Sequence, residues 1–153
     1  MAGKGLTLSH AEITVKNLRT MVEFYRDVLG FKELGQIILG DGSHKIVWLA
    51  TSAGEMIEFF EFRPRKGKDK DPSVPQGDLQ QDIGITHIGF QSSPDEFDGI
   101  MSQLKRKNVE FTIDPRTADW CALKLAFFKD PEGNLLEVIS GKLENITPVR
   151  FDD

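Results

Sequence analysis

Cysteine is nearly absent from this 153-residue chain: the lone Cys121 excludes an internal disulfide and a cysteine-rich zinc site, and so fits a reducing compartment. No stretch approaches the ~18 consecutive apolar residues needed to cross a bilayer. The opening MAGKGLTLSH lacks the charged-then-apolar layout of a secretory signal, so a cytoplasmic location is expected. An excess of positive charge is missing too: the net charge is -5, leaving no electrostatic footprint for nucleic acid or an anionic membrane. The one local basic run, Arg63, Arg65, Lys66, Lys68 and Lys70, reads as a solvated loop, or as a landing strip for an acidic substrate. Histidine is scarce, with only three. What is abundant is apolar patterning, with 39% hydrophobic residues, enough to build a core without staples.

That patterning runs through the same order twice. An alternating strand at about Leu8 to Val15 precedes a helix that Asn17 can cap, with Met21, Phe24, Tyr25, Val28 and Leu29 on one face and Gly30 as terminator. Three strand-like runs follow, Phe31 to Leu39, His44 to Thr51 and Met56 to Phe62, separated by Asp41-Gly42 and by Ser52 to Gly54. A polar stretch with Pro64, Pro72 and Pro75 reads as a linker. The pattern then restarts with a strand at Ile83 to Gln91. Ser93-Pro94-Asp95-Glu96 offers a capping box to a helix bearing Phe97, Ile100, Met101 and Leu104. Strands at about Val109 to Ile113, Ala122 to Phe128 and Asn134 to Ser140 complete it, the last entered through Asp130-Pro131-Glu132-Gly133.

The sequence is therefore expected to be one α+β domain, residues 1–153, made of two βαβββ modules. Module one covers about 6–63, the linker 64–82, module two about 83–141, and a polar tail 142–153. Matching residues should sit at one offset. His10 and His87 are 77 residues apart, and Glu58 and Glu137 are 79 apart, a difference that hairpin lengths absorb. Each half thus places a histidine in its opening strand and a glutamate in its closing strand.

One histidine in a strand is ordinarily a surface or hydrogen-bonded side chain; two at repeat-equivalent positions point to shared chemistry. The glutamates stand on apolar faces, Glu58 among Met56, Phe60 and Phe62, and Glu137 between Leu135 and Ile139. An unpaired buried charge costs several kcal/mol at least, so each needs a counter-charge, a proton or a cation. Lysine and arginine cluster in the linker instead of these strands, which favours a cation. Two imidazoles and two carboxylates, His10, Glu58, His87 and Glu137, suit one divalent ion such as Zn, Ni, Co, Mn or Fe(II), with positions left for water or substrate. Glu61 is the alternative ligand if its strand carries a bulge.

The stretches LSHAEITV, FYRDVLGF, MIEFF, THIGF and FFKDPEGNLLEV resemble the vicinal-oxygen-chelate superfamily, which includes glyoxalase I, bleomycin- and fosfomycin-resistance proteins, methylmalonyl-CoA epimerase and extradiol dioxygenases. The resemblance spans roughly Leu8 to Ser140, and DPEGNLLEV is its most specific part. It implies a half-open mixed β-barrel around a metal, with ligands from the first and last strand of each module. It also implies a homodimer and a small-molecule substrate chelated through two neighbouring oxygens. The His, Glu, His, Glu order is that of glyoxalase I, which implies isomerase or lyase chemistry through a metal-chelated enediolate, with Glu137 and Glu58 shuttling the proton.

Departures from the glutathione-dependent pattern stand at Thr14, where an arginine is usual, and at Phe62, where an asparagine is usual. The substrate expected is therefore a more apolar molecule over Met56, Phe60 and Phe62, with Thr14 and Trp120 as further contacts. Glu58 stands where the epimerases usually carry glutamine. An extradiol-type Fe(II) dioxygenase would need only His10, His87 and Glu137, but Phe127-Phe128 precedes the turn where those enzymes usually have tyrosine, and His44 reads as an exposed strand residue. A resistance protein that binds a toxin or antibiotic without turnover is the reading from another class, with Trp48, Phe60, Phe62 and Trp120 as stacking surfaces. Cys121 reads as a buried or incidental thiol, since Lys124 is the only nearby cation in sequence.

Overall fold

The computed structural model describes residues 8–65, 67–71, 73–80, 83–118 and 123–141. Trp120 and Cys121, with the tail from 142 onward, lie outside the described residues. Two compact units emerge, Met1–Ser73 with Asp130–Asn134, and Val74–Lys129 with Leu135–Asp153.

The first unit holds β1 (His10–Thr14), α1 (Leu18–Glu23), β2 (Lys32–Leu39), β3 (His44–Ala50) and β4 (Met56–Phe62). Its strands form one open mixed sheet in the order β1-β4-β3-β2, with β1 parallel to β4 and the other pairs antiparallel. Because paired residues face the same way, one face carries His10, Glu12 and Thr14 beside Met56, Glu58 and Phe60. Ile57, Phe59 and Glu61 turn to the other face. There Val15, Met21, Tyr25 and Phe59 are fully buried, and the Tyr25 ring meets Phe59 edge-on at 4.9 Å. The helix continues past Glu23 as a π-helical turn, Phe24–Val28, before Gly30 closes it at φ 80°.

The N-terminus of α1 gathers three side chains for its orphan amides. Asn17 Oδ1 accepts from Thr20 N at 3.1 Å, Glu132 accepts from Lys16 N and Asn17 N, and Glu61 Oε1 accepts from Leu18 N at 3.4 Å. Glu61 also pairs with Arg63 at 3.0 Å, and the β3–β4 register runs without a bulge from Met56 to Phe62. The expectation of Glu61 as an alternative ligand is corrected accordingly: with no bulge to rotate it, it faces the helix and caps it.

The second unit repeats the plan with β5 (His87–Ser92), α3 (Pro94–Arg106), β6 (Phe111–Thr117), β7 (Lys124–Lys129) and β8 (Leu135–Ser140), in the order β5-β8-β7-β6. Pro94 opens α3, and Phe97, Met101 and Leu104 supply its buried stripe. Ser93 meets Glu96 side chain to side chain, Oγ to Oε2 at 2.6 Å, and does not cap a backbone amide, a variant of the expected box. The segment expected to be only a linker contains a short helix, α2 (Gln76–Leu79), whose Gln76 side chain is held by Thr112 at 2.5 Å. The basic run is drawn into local pairs: Arg65 and Lys16 on Asp69, and Lys70 on Asn134. Among the described residues, no helix is long and apolar enough to cross a membrane.

The α+β class and two mixed four-stranded sheets with a strand, helix and three strands in each repeat stand as read from the sequence. β1 and β2 are the edges of the first sheet and β5 and β6 those of the second, and neither sheet closes a barrel by itself.

Candidate metal-ligand pairs

β1 and β4 run in parallel with His10 opposite Met56 and Glu12 opposite Glu58. β5 and β8 run in parallel with His87 opposite Leu135 and Gly89 opposite Glu137. In both modules the glutamate therefore stands opposite the residue two places after the histidine. The same diagonal gives the same result. His10 Nε2 lies 3.2 Å from Glu58 Oε2, and His87 Nε2 lies 3.3 Å from Glu137 Oε2. Exposure matches as well: 42% and 11% for the first pair, 33% and 13% for the second, so each carboxylate is sunk while its imidazole edge meets solvent.

The repeat extends to the far ring nitrogen. His10 Nδ1 lies 3.2 Å from Ser9 Oγ, and His87 Nδ1 lies 3.3 Å from Thr86 Oγ1. In the neutral tautomer whose Nδ1–H donates to that hydroxyl, Nε2 presents a lone pair to the carboxylate, and a cation or a proton must lie between the two; in the imidazolium both nitrogens donate and the pair is a salt bridge. With Nδ1 accepting instead, Nε2–H donates to the carboxylate. The separation suits the first arrangement in size: donors held at about 2.0–2.2 Å from one ion stand about 3.0 Å apart at a right angle and about 3.4 Å apart at the tetrahedral angle. The donor chemistry and spacing of each pair thus fit one edge of a coordination polyhedron. Among the described residues, His, Cys, Asp and Glu form no group of three or more that could hold an ion; the ligand candidates come as these two pairs.

The surroundings of each glutamate also correspond. Trp48 of β3 stands opposite Glu58, and Phe127 of β7 stands opposite Glu137. Phe127 meets the His87 ring edge-on at 5.4 Å and joins a buried cluster of Ala118, Leu125 and Leu135. On the first sheet Phe60 stacks on Phe62 at 5.3 Å, and Thr14, Met56, Phe60 and Phe62 share the face of His10 and Glu58, as the sequence led us to expect. His44 is half-buried with its ring against Phe62 at 4.9 Å, so its expected exposure is corrected; the cause is its register opposite Phe62. Strand alternation puts Glu12 on the face of His10 without assigning it a role, and sequence reading passed over Arg116. Arg116 stands opposite Leu125, a placement hidden by the register shift in β6. Glu12 was visible from strand alternation, but the residue opposite it was not.

Gly89 has a specific use. A Cβ there would stand 3.3 Å from Glu137 Oε2, tight enough that the carboxylate would have to give way. Gly89→Val should therefore weaken metal binding about 10- to 100-fold, the range for groups that position a ligand. Competition with a chromogenic chelator measures this, and unchanged affinity would show that the carboxylate needs no such space.

Two open mixed sheets, each with an imidazole and a carboxylate on one face, define a duplicated βαβββ protein equipped to share a cation or a proton. Residues 7–138 match the Glyoxalase/Bleomycin resistance protein/Dioxygenase superfamily, and the chain belongs to that family. Among curated proteins it is 28% identical over 143 residues to metallothiol transferase FosB of Lysinibacillus sphaericus, covering 91% of this chain and 85% of that one. It is 26% identical over 161 residues to lactoylglutathione lyase of Schizosaccharomyces pombe, covering 95% of this chain and 52% of that longer protein. Of solved structures, a glyoxalase/dioxygenase from Nostoc punctiforme superposes with a TM-score of 0.72 at 18% identity, over 93% of this chain and 95% of its own, a likeness of fold.

Proposed function

We propose that the chain is a divalent-metal-dependent enzyme of glyoxalase I-like type, carrying out lyase or isomerase chemistry on a small, largely apolar oxygenated substrate. The observation that carries this reading is the repeated diagonal register, with Nε2–Oε2 separations of 3.2 Å and 3.3 Å in the two modules. The reading takes the modules as halves of one domain, forming a half-open barrel in a cytoplasmic homodimer, so that His10, Glu58, His87 and Glu137 hold one ion. When bound, that ion supplies Lewis-acid stabilisation of negative charge on two neighbouring substrate oxygens.

The chain's own residues do the rest. The Glu137 carboxylate takes the proton from the carbon beside the carbonyl, and Glu58 on the other side returns one to the neighbouring carbon. Phe60, Phe62, Met56 and Trp48 exclude water from that face and hold an apolar substituent. Thr14 offers a hydroxyl two residues beyond Glu12 on the same face. Trp120 is proposed as a further substrate contact. An Fe(II) dioxygenase using His10, His87 and Glu137 would leave Glu58 without a task, which its burial and pairing argue against.

A second reading draws on the relatives named metallothiol transferase: transfer of a thiol to an electrophilic carbon, for which an epoxide is a simple probe because its carbon–oxygen bond opens and the released oxygen takes up a proton. The two readings differ in what happens to a carbon-bound hydrogen. Metal-loaded protein incubated in D2O with an aryl α-hydroxyketone should incorporate deuterium at the carbon next to the carbonyl, read by proton NMR. Thiol-dependent consumption of an epoxide with no such exchange would instead support transfer. Metal-loaded protein that promotes neither process would leave the binding-only alternative in place.

A further inference from the structure

The two modules match at the histidine, the glutamate, the hydroxyl before the histidine and the aromatic ring opposite the glutamate, and among the positions of the same face where they differ, one sets a carboxylate against a glycine. Where module two has Gly89 opposite Glu137, module one has Glu12 opposite Glu58. Glu12 is exposed, and among the described residues no hydrogen bond or ion pair engages its carboxylate. Glutamate is a poor strand former, and like charges directly opposite each other on a sheet repel. Two carboxylates therefore share one face, and the central strands of that face offer no lysine or arginine; the nearest in register, Lys32, stands on the far edge strand opposite Ala50. Glu58 has His10 as its partner, whereas Glu12 has none among the described residues.

Building on the metal-dependent reading above, we propose that Glu12 is a specificity-determining residue. Its carboxylate selects substrates that carry a cationic or strongly hydrogen-bond-donating group beside the chelating oxygens, and turns away those with an anionic group there. The physical basis is a negative charge held on a rigid strand, two residues from one ligand candidate and opposite another, close enough to act on a substituent carried beside the chelating oxygens. At the matched position of module two stands Gly89, so the selecting charge belongs to the His10–Glu58 pair alone.

A series of para-substituted benzohydroxamates tests this, because all three chelate through the same two oxygens and their para groups cannot reach the ion. The 4-trimethylammonio compound carries a fixed ammonium charge, benzohydroxamate is neutral there, and the 4-carboxy compound carries a carboxylate. Each is titrated into Co(II)-loaded protein and binding is read from the visible spectrum of the ion. Wild type should prefer the ammonium over the carboxylate compound by about tenfold, the scale of one unit charge acting on another several ångströms away at a partly solvated site. Glu12→Gln should bring the series to within about twofold and Glu12→Lys should reverse its order, with one cobalt per chain retained in both. An unchanged preference in Glu12→Gln would overturn the proposal, as would loss of cobalt from that variant, which would make Glu12 a ligand instead of a selector. Wild type that responds to none of the three would overturn the metal-dependent reading itself, and this proposal with it.

Discussion

Glu137→Gln is expected to lower the rate of deuterium exchange into an α-hydroxyketone by about 10²- to 10⁴-fold, the usual contribution of a positioned proton-transfer group. The amide keeps an oxygen that can still approach a cation, so at saturating metal the variant should hold the ion while losing the base. Glu58→Gln should impair the same reaction from the other end. A substrate whose two exchange positions can be told apart by NMR should then lose exchange at opposite carbons in the two variants. Full exchange by Glu137→Gln would remove the proton-shuttle role, whatever the metal content.

Asp130→Ala should destabilise the protein by about 3–5 kcal/mol, because one buried side chain there serves four donors. Asp130 is only 4% exposed and accepts from Tyr25 Oη at 3.2 Å, Glu132 N at 3.0 Å, Asn134 N at 2.9 Å and Asn134 Nδ2 at 2.7 Å. Alanine leaves the fully buried Tyr25 hydroxyl and the turn amides with no acceptor. The melting temperature should fall by roughly 10 °C for a chain of this length.

A pH signature accompanies that change. Burial raises the Asp130 pKa, against the opposing pull of its hydrogen-bond donors. A folded pKa above the unfolded one means a stability contribution fully present below the ordinary aspartate range and lost as pH rises through the folded value. Wild type should show that dependence in urea titrations at mildly acid pH, and Asp130→Ala should not. A variant with wild-type stability would mean that water replaces the carboxylate at no cost.

Most of the fold was legible because its signals are local. Alternation located every strand, Met56–Phe62 to the residue, and Asn17, Gly30 and Pro94 marked helix ends through backbone rules that need no distant partner. The matched spacing of His10, Glu58, His87 and Glu137 survived because a duplicated module keeps its register even when hairpin lengths drift. What escaped depends on contacts far apart in the chain. Glu132 reads as one residue of a turn, yet it binds the amides of Lys16 and Asn17, over a hundred positions earlier. The Glu61 carboxylate looked available until the position of α1 was known. β6 begins at Phe111 instead of Val109, and register shifts interrupt its pairing, which no alternation pattern encodes. The sequence reading also assumed that a buried glutamate lacked a partner for want of lysine or arginine, whereas each finds the imidazole of its own module.

Metal stoichiometry of wild type, His10→Ala and His87→Ala, measured on the same preparations by mass spectrometry under native conditions, decides whether the two pairs act as one site. Convergence on a common ion predicts one equivalent per wild-type chain and none tightly held in either variant. Two equivalents in wild type, or one retained in each variant, would mean that the modules bind separately and would contradict the account.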